Sequence, residues 1–253
     1  MKFGCHTLMI TKPVLAGAVI LASAMSGMPD MALAQTEPEK VEAAPGGAPA
    51  VYKPPLRGAP GGRVGGASRG ITTSSTPLPT IELIAPGDHA GLTASATPTL
   101  YFSTSGAVTY PTQFTISAPL RPQPVLEVTI PSPSAAGIYA LRLGDYRARL
   151  EPGIIYTWSV SVIVDPKAWS RNVVASAAIL RAGPDPASEP AIRAASPTRR
   201  AGLLAQAGLW YDAVAAAADS QALDRHAALD ALMVQVGLAE LARSDQMRAG
   251  PLR

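Results

Sequence analysis

The stretch that decides the fold runs Ile154-Ile-Tyr-Thr-Trp-Ser-Val-Ser-Val-Ile-Val164. Tyr156, Trp158, Val160 and Val162 fall on one side of it, and Thr157, Ser159 and Ser161 on the other. That is the two-residue period of a strand with one face buried and one wet. The same period recurs upstream. Ile81 with Leu83, Leu100 with Phe102, and Phe114 with Ile116 each mark a short strand. Leu126, Val128 and Ile130 alternate with Glu127 and Thr129, and Tyr139, Leu141 and Leu143 alternate with Ala140 and Arg142. Downstream, residues 172–180 predict a seventh strand, apolar on both faces. Short alternating runs divided by Pro/Gly turns predict an antiparallel β-sandwich over residues 79–182.

One turn sharpens that expectation. Tyr146, Leu150 and Pro152-Gly153 lead into Tyr156 and Trp158. This spacing resembles the corner between the fifth and sixth strands of fibronectin type III and related immunoglobulin-like sandwiches. There a tyrosine hydroxyl bonds backbone across the turn and an aromatic residue fills the core. Tyr146 and Tyr156 both fit the corner role.

Beyond the strands, a Pro-rich hinge (183–196) precedes a helical C-terminal module (197–243) and a tail (244–253). Ser196-Pro197 is a helix start. Leu203 and Leu204 sit in a first helix that Gly208 ends. Trp210, Val214, Ala217 and Ala218 form the stripe of a second, and Leu229, Leu232, Met233 and Val236 that of a third, with Leu238 and Leu241 beyond Gly237. The run from Leu203 to Asp219 resembles half of a tetratricopeptide-type helix pair. No second copy at a fixed period is read, so a small helical bundle is expected, its stripes buried in a core.

The N-terminus reads as a secretory signal over residues 1–34. Lys2 and Lys12 form a sparse positive region ahead of an apolar run from Val14 to Met25, and Ala32-Leu33-Ala34 supplies a cleavage site after Ala34. The run falls well short of the ~20 residues of a permanent span, which argues against an uncleaved anchor. The expected location is periplasmic or secreted, with no transmembrane segment after cleavage. The one cysteine, Cys5, lies inside the signal, so neither disulfides nor thiol catalysis are expected in the mature chain. Processing leaves 19 basic against 17 acidic side chains, a surplus too small to imply a polyanionic partner.

Residues 35–50 have a linker composition. Residues 51–78 are rich in Gly, Arg and Pro, with Arg57, Arg63 and Arg69 evenly spaced behind Tyr52. Two readings stand for them: a solvated linker, or a loop docked by its arginines onto the β-domain or onto a partner. Tyr52, Arg57, Arg63 and Arg69 are accordingly the candidate partner-binding residues. Export argues against nucleic acid as that partner.

No catalytic, cofactor-binding or metal-binding constellation emerges. Gly66-Ala67-Ser68-Arg69-Gly70 has the pattern of a nucleophile elbow but lacks the strand and helix that the chemistry requires. A zinc site would need His89 and His226 from separate modules. His89, in a Pro-Gly-Asp-His turn, reads as a solvated loop residue, and His226 as water-facing. The carboxylates Glu82, Asp88, Glu127, Asp145 and Glu151 could supply a glycosidase pair, but nothing in the sequence selects two of them.

The chain resembles an uncharacterised bacterial family of exported proteins, domain of unknown function 928. The resemblance rests on Tyr52-Lys-Pro-Pro-Leu-Arg-Gly-Ala-Pro60, Gly62-Arg-Val-Gly-Gly66, Arg69-Gly70, Leu100-Tyr-Phe102, Leu150-Glu-Pro-Gly153, Trp169-Ser-Arg-Asn172 and Gly208-Leu-Trp-Tyr-Asp-Ala213. It implies a cell-envelope location and occurrence beside genes for sensors with extracytoplasmic CHASE-type domains, and it implies no reaction. The expected function is a non-catalytic interaction or adaptor module with a protein partner in the envelope. The alternative is an envelope glycan-binding protein or hydrolase that uses surface carboxylates. Oligomeric state is left open. N-terminal sequencing of protein recovered from the periplasm is expected to begin at Gln35; an intact N-terminus in the cytosolic fraction would refute cleavage after Ala34.

Overall fold

Every alternating run identified in the sequence forms a strand in the computed structural model of the protein, which describes residues 50–55, 64–65, 78–219 and 225–243. In chain order the strands are β1 (Val64–Gly65), β2 (Ile81–Leu83), β3 (Gly91–Thr93), β4 (Thr99–Thr104), β5 (Thr112–Ser117), β6 (Leu126–Ile130), β7 (Gly137–Arg142), β8 (Ile155–Val162) and β9 (Val173–Arg181). They build two open sheets, ordered β1-β2-β4-β7 and β3-β9-β8-β5-β6. Neighbours are antiparallel except β3, which runs parallel to β9 at one edge. The fold is thus mainly β, with helices at the C-terminal end.

Burial follows the predicted alternation along most of β8: Tyr156, Trp158, Val160 and Val162 are buried and Thr157 is exposed, but Ser161, expected on the wet face, is buried as well. The buried faces of both sheets belong to one hydrophobic core, from Ile81, Leu100 and Phe102 to Phe114, Trp158 and Ile179. Two short edge strands, β1 and β3, were not read in the sequence. β1 lies inside the Gly-rich segment read as a loop and pairs with β2 at an edge, where glycine is tolerated. β3, Gly91-Leu-Thr93, holds a single large apolar residue and so shows no alternation. Leu143 leaves the strand assigned to it and starts a 3-10 turn, Leu143–Tyr146, closed by Arg147 at φ 55°. Of the two corner tyrosines, Tyr156 makes the bond across the turn: its hydroxyl accepts the Glu151 N–H at 3.1 Å. The Tyr146 ring packs against Phe114 instead.

The helices are α1 (Glu189–Ala194), α2 (Pro197–Gln206), α3 (Trp210–Ala218), α4 (Arg225–Gln235) and α5 (Ala239–Arg243). α1 falls within the Pro-rich stretch, with Pro190 in its first turn, where a missing N–H costs nothing. Ser196 caps α2 through its backbone carbonyl, which accepts from Arg199 and Arg200.

The reading that no second copy of the helix pair recurs is corrected. Gln206-Ala-Gly208-Leu209 returns 29 positions later as Gln235-Val-Gly237-Leu238. Both stretches close a helix in the same way. Gly208 and Gly237 sit at φ +77° and +76°, the left-handed region that favours glycine. The N–H of Leu209 bonds the Leu204 carbonyl at 3.0 Å, and that of Leu238 the Met233 carbonyl at 2.8 Å. These are Schellman closures, and they make α2–α3 and α4–α5 two versions of one hairpin.

Three consecutive residues of α3 tie it to the strands. The Trp210 indole N–H donates to the carbonyl of Ile84, just after β2. The Tyr211 hydroxyl accepts the indole N–H of Trp158 at 2.8 Å and donates to the Ala178 carbonyl at 3.1 Å. The Asp212 carboxylate accepts the N–H of Ala94, beyond β3, at 2.9 Å. Gly91 leaves room for this packing, since a Cβ there would stand 2.7 Å from the Tyr211 ring.

Two outcomes follow. Trp158→Ala, which empties the centre of the core, is expected to cost about 3–5 kcal/mol. Ser159→Ala, on the other face, should stay within about 0.5 kcal/mol. Thermal melts compare them, and equal melting temperatures would refute the burial of Trp158. The second concerns pH. Burial raises the Asp212 carboxyl above its ordinary value, against the pull of bonds from Ala94, Thr93 and Ser95. A raised carboxyl favours the fold fully below the ordinary carboxylate pKa of ~4 and loses that contribution as the pH climbs through the raised value. Wild type should therefore lose more melting temperature than Asp212→Asn between pH 4 and 7; parallel curves would refute it.

Candidate functional site

Residues 50–55, the strap, cross the helical hairpins as an extended chain. Ala50 and Tyr52 are buried, whereas Val51 and Lys53 are exposed, the alternation of an isolated strand. The strap is held by its backbone. The Gln235 side chain, at the end of α4, accepts the Tyr52 N–H through Oε1 and donates to the Ala50 carbonyl through Nε2, both at 2.7 Å. On the opposite edge the Lys53 N–H donates to the Ala205 carbonyl of α2 at 3.1 Å. Ala50 lies against Gly202, and the Lys53 carbonyl stands 3.0 Å from where a Cβ of Gly208 would be. The Gly208 corner therefore needs glycine twice, for its φ and for the closeness of the strap.

Tyr52 reaches from the strap to the loop between β2 and β3. Its hydroxyl lies 2.7 Å from His89 Nε2, and His89 Nδ1 lies 2.7 Å from Asp88 Oδ1. The Tyr52 ring stacks on the imidazole at 5.7 Å between centroids and meets Trp210 edge-on at 5.0 Å. Burial, and then the charge of Asp88, push the Tyr52 hydroxyl above its ordinary pKa, so it stays protonated. The Asp88 carboxylate can only accept, so Nδ1 carries a proton towards it, and in the neutral ring Nε2 then accepts from the Tyr52 hydroxyl. Beside this chain lies a cavity of about 330 Å³, lined by Tyr52, Pro54, Asp88, His89, Gln235 and Val236 among others.

An Asp–His–Tyr relay has the connectivity of a hydrolytic triad, but a nucleophile must be reachable and readily deprotonated. Tyr52 is 7% exposed and burial holds its proton in place. The arrangement works as a latch for the strap. Of the five candidate carboxylates, only Asp88 lines the cavity; Glu82 is on β2, Glu127 on β6, Asp145 in the 3-10 turn and Glu151 in the turn before β8. No group of three metal-ligating side chains occurs among the described residues.

A second feature stands at the loop between β8 and β9. Trp169 is 72% exposed there, on a 3-10 turn, Trp169–Arg171. Asp165 braces the loop with an oxygen on the Lys167 N–H at 2.9 Å and another on the Arg171 guanidinium at 3.3 Å. Asn172 Oδ1 accepts the N–H groups of Val164 and Asp165. A large apolar ring is thus displayed on a loop with little freedom to fold over it.

Sequence reasoning placed His89 in solvent, and the structure corrects it: Tyr52 covers His89, which is 9% exposed. Tyr52 is turned inward. Arg57, Arg63 and Arg69, the Gly66–Gly70 elbow pattern and the cleavage site at Ala34 lie outside the described residues, as does the side chain of His226 on α4. No helix among the described residues is long and apolar enough to cross a membrane. Gln235 and Asp212 went unnoticed in the sequence. The recurrence of Gln-x-Gly-Leu was the signal for Gln235; Asp212 carried none beyond its place beside Trp210 and Tyr211.

No curated protein and no solved structure matches the chain. Residues 64–246 match the family described as Domain of Unknown Function (DUF928), from β1 through the strands and both hairpins. The chain belongs to that family.

Proposed function

We propose that this protein is an exported, non-catalytic interaction module of the cell envelope that engages a protein partner through the loop between β8 and β9. The observation that carries the reading is Trp169, an exposed tryptophan on a loop braced by Asp165 and Asn172. Leaving such a ring in water is unfavourable, and a braced loop loses little entropy when it docks. Aromatic side chains of this kind dominate the energetics of protein interfaces. The partner fitting the family's expected setting is the ectodomain of an extracytoplasmic sensor. The glycan-hydrolase alternative has less support, because the cavity gathers one carboxylate and a buried tyrosine.

The finer architecture belongs to the same proposal. We read the two sheets as an immunoglobulin/fibronectin-III-like sandwich. The split into β2-β4-β7 and β3-β9-β8-β5-β6, the parallel edge strand beside β9 and the Tyr156 bond across the corner favour it. In such a sandwich the Trp169 loop falls at the end where recognition loops cluster.

The test replaces Trp169 with a photo-crosslinking phenylalanine in cells that export the protein. A covalent adduct with the sensor ectodomain is expected. Trp169→Ser should keep the melting temperature within a few degrees, since an exposed side chain contributes about 0.5 kcal/mol or less to stability, yet should abolish co-purification of the ectodomain. Unchanged co-purification, or adducts with glycan alone, would overturn the proposal.

A further inference from the structure

We propose that the groove between α2 and α4 is a binding site for extended polypeptide, occupied here by the chain's own Ala50–Lys53, and that its ligand in trans is an extended protein segment with a small residue two positions before a tyrosine. This surface is separate from the Trp169 loop, so the two proposals stand or fall independently.

The strap shows what the groove recognises. In an extended chain the carbonyl of one residue and the N–H of the residue two further on point to the same side. The single carboxamide of Gln235 meets that pair at Ala50 and Tyr52, with one atom accepting and the other donating. The opposite edge of the strap is met by the carbonyl of Ala205, near the end of α2. Three backbone bonds from two helices would hold any extended chain, whatever its side chains. Selectivity comes from the alternate residues, as in other modes where a strand is added to a domain. At the first position the methyl group of Ala50 is buried, with its backbone beside Gly202, which favours a small residue there. At the third, His89 and Trp210 form an aromatic slot, with His89 Nε2 in hydrogen-bond contact with the phenol at its far end. Phenylalanine there would leave Nε2 without its donor. The second and fourth positions, Val51 and Lys53, face solvent and are unselective.

The grip is local. Gln206 holds the place of Gln235 in the first hairpin and is exposed as Gln235 is, so it serves as a matched control. Because the strap is covalently attached, it competes with a ligand at an effective concentration on the order of millimolar. The groove is therefore closed to weak ligands until the strap is released, which makes it a self-occluded site.

The experiment uses the full-length mature chain and a fluorescent peptide, acetyl-Ala-Val-Tyr-Lys-Pro-Pro-amide, followed by anisotropy. Tyr52→Ala should empty the slot and tighten peptide binding by about tenfold or more over wild type, because the tethered competitor is gone. Adding Gln235→Ala should remove that binding, whereas adding Gln206→Ala should leave it. A peptide with Phe in place of Tyr should bind more weakly than the parent. If Tyr52→Ala does not fold, Tyr52→Phe, which keeps the ring and loses the bond to His89, serves in its place. No tightening on whichever of the two variants melts near wild type, or binding indifferent to Gln235→Ala, would overturn the proposal.

Discussion

The Tyr211 hydroxyl is the atom on which the arrangement depends. It sits in the middle of the core, accepting from Trp158 of β8 and donating to the carbonyl of Ala178 on β9. Trp158 is the largest side chain of the strand face that defines the fold, and its indole N–H is buried with it. A buried N–H without a partner costs about 1–3 kcal/mol, so the tryptophan can fill the core only if something polar comes in to meet it. That group arrives from a helix 53 residues further along the chain. With Trp210 and Asp212 beside it, Tyr211 joins α3 to β2, β3, β8 and β9 at once, so the position of the helices is fixed by the polar needs of the strands.

Fixing α3 fixes the rest. α2 and α4 both pack against α3 and against each other, so the groove they form is set by the same anchor. Trp210, bonded to Ile84, also supplies one wall of the slot that receives Tyr52. His89, on the loop that follows Ile84, supplies the other. The strap site is thus assembled from three parts of the chain, each held by core contacts made for other reasons.

Much of the fold was legible because strands declare themselves by a period of two. Tyr156 and Trp158 with Thr157 and Ser159 between them admit one reading, and the structure follows it. β1 and β3 escaped because Val64-Gly65 and Gly91-Leu-Thr93 each hold one large apolar side chain, too few to show a period, and because an edge strand needs few of them. Tyr52 and His89 escaped for a different reason: their bond joins residues 37 positions apart, and a loop histidine beside an aspartate looks solvated until another part of the chain covers it. The second hairpin was visible in Gln235-Val-Gly-Leu238, but α5 lacks the aromatic pair that makes α3 conspicuous, with Ala239 and Glu240 in place of Trp210 and Tyr211.

That difference between the hairpins is itself informative. Both corners use the same glycine and the same pair of closing bonds, so the geometry of the turn is not what distinguishes them. The first corner spends its helix on the core, through Trp210, Tyr211 and Asp212, and leaves Gln206 in water. The second makes no such use of Ala239 and Glu240, and its glutamine turns to the strap. One hairpin has become an anchor and the other a clamp, and the clamp can be precise only because the anchor holds α3 still beside it.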